Sequence, residues 1–425
     1  MEKAYSSDYW YSRVVNNIME KPDDFLEDNI VNSLKEEIPN TVSTVMDRLC
    51  NLQCRHCLFQ KEAMSSEDLS EKYNLLGVLE NIIKQAPDEK TPPHYERPMF
   101  IHEGRSLRKW HLDAFEMIRK ERPDMKIGLI DNGSYLFHLD EFKKRNLKLD
   151  WLDISVDGTE MSHNAQRDPV NRKAYRMAME GLENAREVTL SPKEGGRVTA
   201  LYTLTKLNYR DVEEAGNLLL SPNSKSNDHN YIDEFYISSM TPQLEENFEI
   251  EISPEDFKVT WEQVLRLNEK YNKSDQEKVF VKLYYHKDIE RLAYAVGHKK
   301  FWESMSNTEG ERSVGLAIGE VIFYIDDVSI RYFPYSIWPQ ETINIDVDAT
   351  YRVATSQKYR IEELRSGVSS KNENIKAYTN EQLTTETSYV EAYKRGVDNW
   401  WSNFGKKYLE EEAGIMRSIK NRSAS

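Results

Sequence analysis

The chain has 425 residues, 57 Lys plus Arg against 72 Asp plus Glu, and a formal net charge of −15, a length that suits two or three domains or one large α/β barrel with extensions. The negative balance repels phosphate backbones, which excludes a general nucleic-acid binder and leaves a small molecule or a protein as partner. No run approaches the roughly 18 apolar residues that cross a bilayer, and the opening MEKAYSSDYWYSRVV lacks a signal-peptide layout, so no membrane association and a cytoplasmic location are expected.

In chain order, residues 1–38 are polar with short helical stretches, and are expected as a helical lead-in. From Thr41 the β-branched run TVSTVMD is expected as a strand that ends at a cysteine cluster. A helix over 66–85 and a Pro- and charge-rich loop follow. The pattern then alternates: strand 98–103, helix 107–122, strand 126–131, a turn at Asn132-Gly133, helix 138–145, strand 151–157 and helix 170–187. Strand 197–205 leads to a helix opened by Asn208 and Asp211 as a capping pair, and strand 233–240 follows. Short apolar strands alternating with amphipathic helices predict βαβ units and a parallel sheet. Ser253-Pro254-Glu255-Asp256 is a helix start, with Pro at the first position and a carboxylate at the third, launching a helix to about Tyr271. A strand over 278–286, a helix to about Ser304, a hairpin from 315–326 and 328–336, and a terminal helix over 387–420 complete the reading. The expected fold is α/β: a partial (β/α)6 TIM-like barrel over 39–245, with the N-terminal helical cap and a substrate-covering α+β extension over 246–425.

The cysteines of the chain are Cys50, Cys54 and Cys57, three thiols within eight residues. An odd, tightly spaced set cannot build a disulfide framework and reads as metal ligands. Three thiolates on a short loop after a strand can hold three irons of a four-iron cluster and leave the fourth open for a substrate or cofactor. A Cys3His zinc site with His56 is the competing reading, although adjacent His56 and Cys57 would have difficulty reaching one tetrahedral ion.

The spacing C-x3-C-x2-C resembles that of the radical S-adenosylmethionine (SAM) superfamily, and further landmarks follow in order over residues 41 to 240. FIHEGRSL (100–107) sits where the family carries Gly-Gly-Glu-Pro, GLIDNGSYL (128–136) is similar to its Thr-Asn-Gly turn, ISVDGTEMSHNAQRD (154–168) to its Ser-x-Asp-Gly segment with a downstream Arg, and YTLTKLNYRDV (202–212) to its fifth strand. The resemblance implies one 4Fe–4S cluster on Cys50, Cys54 and Cys57, SAM on its open iron, and release of a 5′-deoxyadenosyl radical that abstracts hydrogen from substrate. It further implies contacts to SAM from His56, Glu103, Gly104, Asn132, Ser155, Asp157 and Arg167, with ribose at Ser155 and Asp157 and the carboxylate at Arg167. Glu103 and His102 are the expected catalytic residues, with Tyr202 and Tyr236 beside them in the pocket. His-Glu-Gly-Arg at 102–105 departs from Gly-Gly-Glu-Pro, so which side chain meets the SAM amino group is open by one residue.

Relatives of the SPASM-type branch carry further cysteines for auxiliary clusters in a C-terminal extension, where this chain has Tyr332 and Phe333 in the hairpin. Without an auxiliary cluster to take a second electron, or a spare thiol to quench a radical, redox-neutral elimination or rearrangement of a sugar or aminoglycoside-like small molecule is the favoured chemistry. A maturase acting on a ribosomal precursor peptide is the alternative, and a catalytically silent scaffold or partner protein the second. A flavodoxin- or ferredoxin-type electron donor is the expected protein partner.

Overall fold

The computed structural model describes residues 41–45, 50–57, 74–87, 99–103, 107–168, 170–222, 230–240, 245–272, 278–283, 286–301, 320–324, 329–333 and 350–353, with scattered positions between 388 and 424. The expected lead-in over 1–38 lies outside them. Seven strands, β1 (Thr41–Val45), β2 (Met99–Glu103), β3 (Lys126–Asp131), β4 (Trp151–Ser155), β5 (Arg197–Leu204), β6 (Glu234–Ser239) and β7 (Val279–Leu283), lie side by side in chain order. All are parallel to their neighbours. Sequential parallel order is the winding of a barrel, since a doubly wound sheet reverses direction at a switch point.

Helices α1 (Leu75–Gln85), α2 (Lys109–Glu121), α3 (Leu139–Arg145), α4 (Glu160–Arg167), α5 (Ala174–Asn184), α6 (Val212–Leu219), α7 (Glu245–Phe248), α8 (Pro254–Tyr271) and α9 (His286–Val296) fall between and after the strands. Alternate strand residues, among them Phe100, Leu129, Leu152, Ile154, Val198, Ala200, Phe235 and Ile237, are buried in one core with helix residues such as Ile82, Phe115, Leu182, Leu219 and Val264. The strand period of two therefore gives one face of the sheet to the helices. On the other face Trp151 lies against Gly128, where an added Cβ would come within 1.9 Å of the indole; glycine lets β3 and β4 carry that ring.

The sheet does not stop at residue 245. Strand β10 (Thr350–Val353) pairs parallel with β7, and β8 (Glu320–Tyr324) pairs parallel with β1 and antiparallel with β9 (Ser329–Phe333). The expected hairpin thus forms, as an extension of the barrel sheet itself. Among the described residues the order β10-β7-β6-β5-β4-β3-β2-β1-β8-β9 has β9 and β10 at its edges, so the sheet is not closed. Among the described residues no helix is long and apolar enough to cross a membrane.

Two local features differ from the sequence reading. A helix that the sequence reading did not give, α4, precedes the helix expected over 170–187, which forms as α5 and ends at Asn184. Helix α4 buries Ser162, His163, Asn164, Gln166 and Arg167, so it packs by a polar face and carries no apolar stripe for periodicity to detect. The helix after β5 starts at Val212, because Asn208 turns its side chain back to accept from Thr205 N–H (2.8 Å) and donate to Asp157 O (3.0 Å). By contrast, Ser253 caps α8 as expected, its hydroxyl accepting from Asp256 N–H at 3.1 Å.

Candidate functional site

The cysteine loop occupies 50–57, after β1, at the C-terminal end of the parallel strands where barrel loops gather functional groups. Its main chain turns tightly, with Cys57 N–H donating to Cys54 O at 3.2 Å. Arg55 is bound at both polar groups: its N–H donates to Gln166 O of α4 at 2.8 Å, and its carbonyl accepts from Asn247 Nδ2 of α7 at 2.6 Å. Cys50 is exposed, and Cys54 and Cys57 are half-buried.

Asn132, in the turn after β3, donates from Nδ2 to Asn51 Oδ1 (3.0 Å) and reaches Cys50 Sγ (3.8 Å). Asn51 donates in turn to Met177 Sδ at 3.3 Å. Gly133 makes this turn: its φ is +97°, and a Cβ there would come 2.5 Å from Met177 O. Beneath it, Asp131 is buried, accepting from Ser134 Oγ and Tyr135 N–H, both at 3.0 Å.

Burial pushes Asp131 up to about 6, its hydrogen bonds opposing the shift only in part. An unfolded Asp titrates near about 4, so the native chain binds the extra proton between those values. The contribution is complete below pH ~4 and is lost as pH rises through ~6, by about 3 kcal/mol. Asp131→Asn keeps the shape and removes the titration. Urea unfolding of both chains from pH 4 to 7.5 should show the variant gaining on the wild type as pH rises, and a constant gap would count against it.

Around Asp157, two residues past β4, polar groups converge. Its Oδ1 accepts from Thr203 N–H (2.8 Å), and its Oδ2 accepts from Gln166 Nε2 (2.9 Å) and Arg167 Nε, with His56 Nε2 at 3.8 Å. Its own N–H donates to His163 Nδ1 at 2.9 Å, which makes Nε2 the protonated nitrogen of that ring. Burial alone would raise the Asp157 pKa, but Arg167 and then His56 hold it below the ordinary carboxylate value. Burial also pushes His56 down to about 4 and His163 to about 3, so both rings are neutral. Gln166 closes the network, donating to Thr203 O and accepting from Thr205 Oγ1.

The expected residues therefore divide. His56, Asp157 and Arg167 form one buried group with the half-buried Cys54 near it, and Cys50 and Asn132 meet beside it. Asp157 is 0 % exposed with both carboxylate oxygens taken by protein donors, so its acceptors are closed to a ribose. Ser155, the last residue of β4, keeps partial exposure. Glu103 and His102 end β2, in register with Val45 and Thr44 of β1, and their side chains, like Gly104, lie outside the described residues. Two pocket expectations are corrected: Tyr202 faces the helices, fully buried, with its hydroxyl donating to Asn208 O (2.7 Å), and Tyr236 is buried in a stack on Phe280 with centroids 4.8 Å apart. His163 and Gln166 were not expected, and Asn208 was expected as the opening of the helix after β5. His163, Gln166 and Arg167 stand at i, i+3 and i+4, a spacing that puts them on one helix face and could have found them.

An iron–sulfur cluster suits this loop chemically. Burial pushes the Cys54 thiol up to about 12 in the metal-free chain, and the Arg167 charge opposes that shift by favouring thiolate. Among the described residues no three His, Cys, Asp or Glu, the cysteines included, are gathered closely enough to hold a single ion.

Residues 44–219 match the family model of the Radical SAM superfamily. Among solved structures, Streptococcus suis SuiB bound to precursor peptide SuiA aligns with 76% of this chain and 71% of its own, at 12% identity and a TM-score of 0.46. Escherichia coli coproporphyrinogen III oxidase, HemN, a radical SAM enzyme, aligns over 58% and 57%, at 14% identity and a TM-score of 0.35. No curated protein sequence matches the chain. With the cysteine loop at its head and the Asp157 network at its centre, the segment from 44 to 219 is a radical SAM domain, of the superfamily whose enzymes use a 4Fe–4S cluster and SAM.

Proposed function

We propose that the chain holds one 4Fe–4S cluster on Cys50, Cys54 and Cys57 and acts on a carbon–hydrogen bond of a small polar substrate, sugar- or aminoglycoside-like, in a redox-neutral elimination or rearrangement. The observation that carries this reading is the single cysteine loop in a sequence with three cysteines. When bound, the cluster supplies the electron that cleaves SAM, and the resulting 5′-deoxyadenosyl group takes a substrate hydrogen. The chain's own groups bind and orient. Arg167, aimed by Asp157, pairs with the SAM carboxylate, and Ser155 with Asn132 offers the ribose and adenosine side polar contacts. Glu103 and His102 receive the amino group and line the substrate side. A flavodoxin- or ferredoxin-type donor supplies the electron.

A second reading, modification of a precursor peptide, is favoured by exposed apolar side chains that follow the ends of β3 and β4. Phe137, Met161 and Val170 are 72%, 82% and 77% exposed, and apolar groups left in water suit a peptide's side chains better than a sugar. Anaerobic reconstitution should yield about four irons and four sulfides per chain; zinc in place of iron, or two clusters, overturns the reading. SAM binding by calorimetry distinguishes it from a silent scaffold, which would bind none. Deuterated sugar and peptide pools, each offered with dithionite and SAM, then decide the substrate by which one passes deuterium into 5′-deoxyadenosine.

A further inference from the structure

Helix α7 follows β6 and is four residues long, far in sequence from the cysteines. Its Asn247 is fully buried, and its Nδ2 donates to Arg55 O across 192 positions of chain. On the opposite side of the same residue, Arg55 N–H is held by Gln166 O, from the helix that carries Arg167. Helix α7 is itself anchored, with Ile250 N–H donating to Asn247 O at 3.1 Å and Ile250 O accepting from Lys206 N–H at 2.9 Å. Arg55 lies between Cys54 and Cys57, whose main chains meet in the turn at 3.2 Å. A buried amide that satisfies a loop carbonyl removes one of the loop's ways to open, because an unpaired carbonyl in that place is costly.

We propose that Asn247 is a positioning residue for the cysteine loop: with the main chain of α4 it clamps residue 55 and presets the spacing of Cys54 and Cys57 before any metal arrives. The inference rests on the reading that this loop carries the cluster. Ligands held by an outer partner need less ordering on binding and release metal more slowly, as outer contacts do at other metal sites. The Gln166 side of the clamp is main chain and cannot be substituted away, so Asn247 is where the clamp can be tested.

The experiment is hydrogen–deuterium exchange on the metal-free full-length chain, with Asn247→Asp, which keeps the shape and removes the donor, and Asn247→Ala. Amides in 50–57 should exchange about tenfold faster in both variants, the effect of losing one buried hydrogen bond, while β4 and β5 keep their protection. On the reconstituted protein, iron should pass to a chelator about tenfold faster as well. Unchanged exchange in 50–57 overturns the clamp, and equal loosening of β4 and β5 assigns Asn247 to general packing. Should Asn247→Asp fail to fold, Asn247→Ala carries the same measurement. A wild type that takes up no iron would sink the proposed function, while the exchange comparison still decides on the clamp.

Discussion

Asp157→Ala is expected to cost about 3–5 kcal/mol of folding stability, the range for removing one partner of a buried ion pair. The loss is large because four groups are left behind. Arg167 keeps its charge in a buried place with no counter-ion, Thr203 N–H and Gln166 Nε2 lose their acceptor, and His56 loses the carboxylate beside it. Arg167→Met should cost less than the sum implies when combined with Asp157→Leu, because the double variant buries no unpaired charge. Thermal and urea melts of the four chains close that cycle, and additive losses in the double variant would show that the pair is not coupled. The same substitution should also loosen β4 from β5, since the Asp157 carboxylate accepts from the main-chain N–H of Thr203.

Cys54→Ala is expected to leave the fold standing and abolish the chemistry. Only one sulfur is lost from a half-buried position, a change of about 1–2 kcal/mol on the scale of small core truncations. Cluster retention and 5′-deoxyadenosine release from SAM, by contrast, should both fall by about a thousandfold or to background, since two thiolates cannot do the work of three on a cluster with one open iron. Iron analysis after anaerobic reconstitution and chromatography of the nucleoside product measure the two losses separately. Wild-type iron with undiminished nucleoside release would remove Cys54 from the ligand set.

The elements of the barrel were readable because each strand and most helices have one apolar face, and a period of two or 3.6 records that face locally. Helix α8 was legible to the residue, since Pro254 and the Ser253–Asp256 capping pair are local chemistry. Helix α4 was not, because the face it buries is made of His163, Gln166 and Arg167, and its packing partners are Asp157 and the loop after β5. Asn208 looked like a helix cap for a related reason. It has a capping side chain, but the donor and acceptor it pairs with lie at Thr205 and at Asp157, the latter fifty-one residues away.

The amino-acid order alone therefore determined the alternation of strands and helices, the single cysteine loop and the landmarks that resemble the radical SAM superfamily, all of them patterns carried within short windows. Only the tertiary structure decided what the polar side chains do. It turned Asp157 from a ribose contact into the closed acceptor that aims Arg167, moved Tyr202 from the pocket into the core under the helices, carried the β8–β9 hairpin onto the edge of β1, and brought Asn247 to Arg55. A polar group commits to whichever donor or acceptor the folded sheet places within about 3 Å, and no periodicity in the chain records a partner that folding alone brings near.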